Sequence, residues 1–321
     1  MPVRRALTAW SALAALGFAA CGGAGPAATT GADGCRPLQI VASTSILGDV
    51  VGRVAGAADR VEVLMPIGAD PHSFQASASQ AAALREADLV VVNGLGLEGT
   101  LAGVIESAAA DGVAVVEAAS FVVPLPYGPG ATGGDGADGE GGTLDPHLWT
   151  DPRRMADVAT GLGEALAAAD PGCAAAHRAA AAAYRAELLG LDVEIEALLA
   201  AVPTEQRKLI TNHHTLGYFA DRYGFEVVGA IIPGGATFAG PSPAALAALV
   251  DTLRREGVRA VFAETTASTA LSEALAAELG GEVAVVTLYT DSLGEPGSGA
   301  DTYAGMMLVD ARRIAAALGG P

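Results

Sequence analysis

The sequence predicts an α/β protein of two lobes, each a four-stranded parallel sheet flanked by helices, joined by one long linking helix. Three observations carry this. Short β-branched runs alternate with longer Ala/Leu-rich amphipathic segments, the pattern of βαβ units. These runs fall into two sets. Between the sets a helical pattern continues unbroken from Asp170 to Val202.

The elements follow in chain order. Arg4 and Arg5 precede a mostly apolar run, Ala6–Ala20, that ends in small residues before Cys21. This reads as a secretory signal over 1–20, since its length falls short of the roughly 20 apolar residues a spanning helix needs. Phe18-Ala19-Ala20-Cys21-Gly22 resembles a bacterial lipobox, with Phe18 where Leu is usual, which makes Cys21 the expected lipid anchor. Residues 21–35, rich in Gly, Ala and Thr, read as a tether. The first lobe, 36–169, has strands expected near Leu38–Ser43, Val61–Met65, Leu89–Asn93 and Val113–Glu117. Within it Gly128–Gly142, almost only Gly, Asp, Ala and Glu, cannot build a core and reads as a mobile acidic loop. Asp170-Pro171 is a good helix start, an acceptor side chain before Pro at the first position, so the linking helix is placed at 170–202. The second lobe, 203–321, has strands expected near Lys208–Thr211, Glu226–Ala230, Ala260–Ala263 and Val283–Leu288, then a helix near Thr302–Leu318.

Charge excludes some partners. Without the signal, 16 basic face 36 acidic side chains, a net charge of −20. Nucleic acid and anionic membrane surfaces are therefore not expected partners, and contact with the membrane would run only through a lipidated Cys21. Cys35 and Cys173 are the remaining cysteines, and in an oxidising compartment they can pair, which the sequence leaves open. With no Cys-rich metal spacing, any metal site must use His and carboxylate.

The chain has five histidines. Asp-Pro-His occurs twice, as Asp70-Pro71-His72 and Asp145-Pro146-His147. His213 follows the strand Lys208–Thr211, and Asp291 follows the last strand. All four fall beyond the carboxyl ends of predicted strands, the edge where open α/β sheets bind ligands, and two come from each lobe. Neutral imidazole and carboxylate suit a borderline first-row ion, and three His with one Asp fill a tetrahedral shell. His177, inside an Ala-rich helix, reads as an ordinary polar residue. Spacing alone does not choose between His213 and its neighbour His214. Asp70 and Asp145, two residues before a ligand, are either turn-forming residues or acceptors that orient the imidazoles.

Over nearly its whole mature length the chain resembles the zinc and manganese solute-binding proteins of bacterial ABC importers. Beside the two Asp-Pro-His motifs, His213-His214-Thr215-Leu216-Gly217-Tyr218 is similar to the family's third-ligand motif, whose ligand stands five positions before the Tyr. Pro241-Ser242-Pro243 leading into Ala260–Glu264, and Asp291-Ser292-Leu293 before Thr302–Met307, match its second lobe. The resemblance implies His72, His147, His213 and Asp291 as metal ligands, with Ala260–Glu264 as scaffold. It also implies an exported, lipid-anchored monomer on the outer face of the cytoplasmic membrane or in the periplasm, delivering one ion to an ABC permease. Zinc is the expected cargo, since manganese-preferring relatives commonly carry Glu where His213 stands, with Mn2+ or Fe2+ as the alternative. The sequence departs from the pattern in having no His in Gly128–Gly142, and in His214, where many relatives have Asp. A secreted zinc hydrolase using the same residues is the reading from another class; the chain has no His-Glu-x-x-His pair, and a closed four-ligand shell leaves no position for a reacting water.

Overall fold

The computed structural model describes residues 34–128, 144–232, 237, 240–280 and 283–319. The signal, most of the tether and nearly all of the acidic loop lie outside the described residues. Among those described, no helix is long and apolar enough to cross a membrane.

The first sheet contains β1 (Gln39–Ala42), β2 (Arg60–Val63), β3 (Leu89–Val92) and β4 (Ala114–Glu117), all parallel in the order β2-β1-β3-β4. Helices α1 (Ser45–Val54), α2 (Ala78–Glu86) and α3 (Ala102–Ala110) make the crossovers. Their starts follow from side chains that accept otherwise orphaned amides: Thr44 accepts from Leu47, and Ser77 with Gln80 forms a capping box. Helix α4 (Pro152–Ala169), with Asp151 as its cap and Pro152 at its first position, and α5 (Ala174–Leu199) follow. The second sheet repeats the first as β6-β5-β7-β8 from β5 (Lys208–Thr211), β6 (Glu226–Ala230), β7 (Ala260–Glu264) and β8 (Ala284–Leu288). Its helices are α6 (Gly217–Tyr223), α7 (Pro243–Glu256), α8 (Ala270–Glu278) and α9 (Tyr303–Leu318). Gly224 and Gly257, at φ of 68° and 61°, end α6 and α7 in the left-handed region that a residue with a Cβ enters only at a cost.

The strands sort their side chains with period two. Ile40, Ala42, Leu89 and Val91 enter one core while Val41, Val90 and Val92 enter another, and in the second sheet Leu209, Ala260 and Phe262 part from Ile210 and Val261 in the same way. The inner faces of both sheets share one core, continuous through Tyr184, Leu188 and Ile195 of α5 and Ile314 of α9. The outer faces close separate, smaller cores under their own helices. At 26 residues α5 is about 39 Å long. Its apolar stripe is therefore common ground for the lobes, which works against a wide hinge motion.

The linking helix starts later than Asp170-Pro171 suggested. Asp170 accepts the amides of Arg36 and Gly172, so it holds a turn against the incoming N-terminal segment, and the helix begins at Ala174 and ends at Leu199. Cys173, in the cap position, is bonded to Cys35 with 4.9 Å between Cα atoms, which answers the pairing left open. This bridge joins residues 138 apart at the amino ends of the strands, opposite the edge that carries the candidate ligands. Replacing both cysteines by Ser is expected to lower unfolding free energy by about 2–4 kcal/mol, because the unfolded chain regains a long loop. Metal affinity should not change. Denaturant midpoints of the two forms check this, and an unchanged midpoint would mean that the bonds of Arg36 to Asp170 and Asp88 hold this end alone.

Candidate metal centre

The two Asp-Pro-His tripeptides fold alike. In each, an Asp oxygen accepts the amide of the His two residues on, at 2.9 Å, an Asx turn that Pro favours by fixing its own φ. Asp145 does more, since its Oδ1 also lies 2.7 Å from His147 Nδ1. Turn former and imidazole holder are the same residue there. At the first motif Asp70 also accepts from the Ser73 and Thr237 hydroxyls, so it is a turn and cleft residue.

His72 follows β2 within one loop, and His213 is two residues past the end of β5. His147 lies thirty residues beyond the end of β4, so its return to the sheet edge needs explanation. The Asp145 amide donates to Leu125 O, and a Pro126–Leu144 bridge closes the ends of the acidic segment. Tyr218 of α6 buckles this return, donating its hydroxyl to Asp145 O at 2.6 Å and accepting the Leu125 amide at 3.0 Å. Next to His147, Trp149 donates its indole N–H to Thr290 O at 2.6 Å, which ties the His147 segment to that of Asp291. Ser292 accepts the Gly68 amide at 2.8 Å, so the Asp291 loop is also bonded to the first lobe.

The result is a convergence of four side chains. The three imidazole centroids lie 5.1–5.3 Å apart, nearly an equilateral triangle, and the His72 and His147 Nε2 atoms are 3.2 Å apart. His213 Nε2 lies 3.6 Å from Asp291 Oδ2. Donors sharing one tetrahedral zinc at about 2.0–2.1 Å would stand about 3.3–3.4 Å apart. All four residues are at least 95 % buried, and His213 Nε2 and both Asp291 carboxylate oxygens have no hydrogen-bond partner. Buried polar atoms left unpaired are costly and rare. A dication between them would pair His213 Nε2 and an Asp291 oxygen. His214 stays outside this convergence. His177, read as an ordinary polar residue, is fully buried against Asp59, 3.1 Å away, at the amino end of the sheet.

Sequence reasoning missed one carboxylate. Glu264, the end of β7 and read as scaffold, lies 2.8 Å from His213 Nδ1. It was hidden because β7 meets β5 only in the fold, 51 residues along the chain. Tyr218 and Trp149 were equally invisible as clamps.

Electrostatics divides the centre. Burial pushes His72 down to about 2 and His147 well below the ordinary imidazole range, each assisted by neighbouring imidazoles. Both are therefore neutral, the form that ligates a metal. At His213 burial opposes the charge, but the Glu264 and Asp291 carboxylates outweigh it and raise the pKa to about 9. Burial raises Asp291 to about 8 against the pull of His213. A folded, metal-free site with these values holds protons at neutral pH that an arriving cation must displace. Apparent affinity is thus expected to rise with pH up to about 9 and to fall below it, with at least one proton released per ion. Calorimetry in buffers of different ionisation enthalpy counts the protons, and a count of zero would contradict these values.

Three comparisons bear on the arrangement. A family model described as zinc-uptake complex component A, periplasmic, matches residues 40–317. The manganese-binding lipoprotein MntA of Halalkalibacterium halodurans is 33 % identical over 274 residues, covering 84 % of this chain and 85 % of that one. The iron-binding protein YfeA of Yersinia pestis is 28 % identical over 287 residues, covering 89 % and 88 %. The solved structure of the periplasmic zinc-binding protein TroA from Treponema pallidum superposes with a TM-score of 0.77 at 27 % identity, covering 88 % of this chain and 99 % of that one.

Proposed function

The chain belongs to the family of periplasmic zinc-uptake complex component A proteins, and from that premise we propose that it captures one Zn2+ between its lobes and hands it to an ABC permease. It is a metal-binding component of ABC importers; the cargo, the ligands and the mode of attachment are the finer reading.

In this reading His72 and His147 from lobe 36–169 and His213 and Asp291 from lobe 203–321 hold the ion. The observation that carries it is the set of buried, unpartnered atoms, His213 Nε2 and both Asp291 oxygens, beside a group of three imidazoles whose ligand atoms lie within 4.8 Å of one another. Three nitrogens and one carboxylate suit zinc, and a full shell serves carriage without catalysis. Export through the N-terminal signal, anchoring at Cys21 and a monomeric state complete the proposal, in keeping with relatives named as lipoproteins.

Manganese or iron is the competing cargo, favoured by the names of MntA and YfeA. The test strips the protein with chelator, offers zinc, manganese and iron together, and reads the bound metal by native mass spectrometry with elemental analysis. One zinc per chain is the expected result. One manganese or iron would replace the cargo and keep the site, and no stoichiometric metal would remove the proposal.

A further inference from the structure

We infer that Glu264 is a positioning residue that fixes the orientation of His213 and biases the centre toward zinc over manganese; this rests on the metal-carrier reading above. Glu264 closes β7 after Val261, Phe262 and Ala263, which are all core residues, and it is itself 2 % exposed. A carboxylate in such a place is costly without close partners. Among the described residues its side-chain partners lie on one short segment: the His213 imidazole Nδ1 at 2.8 Å, the His213 backbone amide at 3.3 Å and the Asn212 side-chain Nδ2 at 3.4 Å. Among the described residues, Glu264 therefore serves the residue that bears the imidazole and its neighbour.

The consequence for His213 is geometric. With Nδ1–H donated to Glu264, the proton that an arriving cation displaces leaves from Nε2, so the freed lone pair is on the atom that lies beside Asp291. His147 is held in the same sense by Asp145, but that acceptor belongs to its own tripeptide. Glu264 comes from another strand. It pairs with Leu288 in the β7–β8 ladder, and the Thr265 amide donates to Leu288 O at 3.1 Å, just before the loop that carries Asp291. One residue, through its side chain on one side and its backbone on the other, thus links the mounts of both ligands from the second lobe.

The consequence for selectivity is electronic. An imidazole that donates to a carboxylate is a more basic ligand. Zinc gains more from nitrogen basicity than manganese, which favours oxygen donors. Removing the carboxylate should accordingly weaken zinc more than manganese.

The test uses the full chain with Glu264→Gln, which keeps the shape and removes the charge, and Glu264→Ala. Zinc and manganese affinities are measured separately, with Tm of the metal-free protein and 15N spectra of the His213 ring in the zinc-loaded form. The inference expects zinc affinity to fall about 10–100-fold in Glu264→Gln. It also expects a smaller loss for manganese and a shifted Nδ1–H resonance. A purely structural role would lower the metal-free Tm and leave the zinc-to-manganese ratio alone, which overturns the inference. If Glu264→Ala does not fold, Glu264→Gln decides. Zinc binding by the parent with an unaltered ratio in Glu264→Gln overturns this inference only, whereas a parent that binds neither metal removes the carrier reading and this inference with it.

Discussion

His213→Ala is expected to weaken zinc binding by well over tenfold, more than about 1.4 kcal/mol. The substitution takes away one of the three nitrogens and does so at a site that cannot substitute water cheaply, since His213 is fully buried and its ring meets those of His72 and His147 at 5.1 and 5.2 Å. It also strips Glu264 of its principal partner, leaving two carboxyl groups, Glu264 and Asp291, facing a hole. His177→Ala is the matched control. That imidazole bonds Asp59, which also accepts the Leu38 and Gly56 amides, so its loss should lower Tm and leave zinc affinity unchanged. Competition against a chromophoric chelator measures both. Equal zinc affinity in His213→Ala and the parent would mean that His213 is not a ligand.

The sequence carried the strands because each is a β-branched run short enough to be nothing else. Leu89-Val90-Val91-Val92 is apolar at every position, as a strand covered on both faces must be, and its residues divide between two cores. The start of α5 departs from the sound local cap signal of Asp170-Pro171 for a tertiary reason: Arg36 and the Cys35 bridge claim that turn. The four candidate ligands were legible because their motifs are local, a tripeptide or a position just past a strand. Glu264, Tyr218 and Trp149 were not, since each acts on a residue brought to it by folding, from 51, 73 and 141 positions away. Local chemistry could be read from residue order, while the groups that orient it depend on strand order.

The parent protein is expected to prefer zinc to manganese in direct competition, with His213 deciding the margin. Zinc stands well above manganese in the general affinity order for nitrogen-rich sites, and three imidazoles with one carboxylate satisfy it at four-coordination. Manganese favours oxygen donors and higher coordination numbers. Here all four residues are buried, and the site offers three nitrogens against one carboxylate. Relatives named for manganese and iron match along most of this chain, and the structure of one named for zinc superposes on it, so the scaffold alone does not name the cargo. His213→Glu tests this directly. The new carboxylate would offer manganese an oxygen, but it would stand against Glu264 and Asp291 with no proton donor between them, so zinc should weaken more than manganese and the gap should narrow. Paired titrations of both metals into parent and variant give the ratio. Equal or tighter manganese binding by the parent would defeat the zinc assignment, while an unchanged ratio in His213→Glu would move the source of selectivity away from the third imidazole.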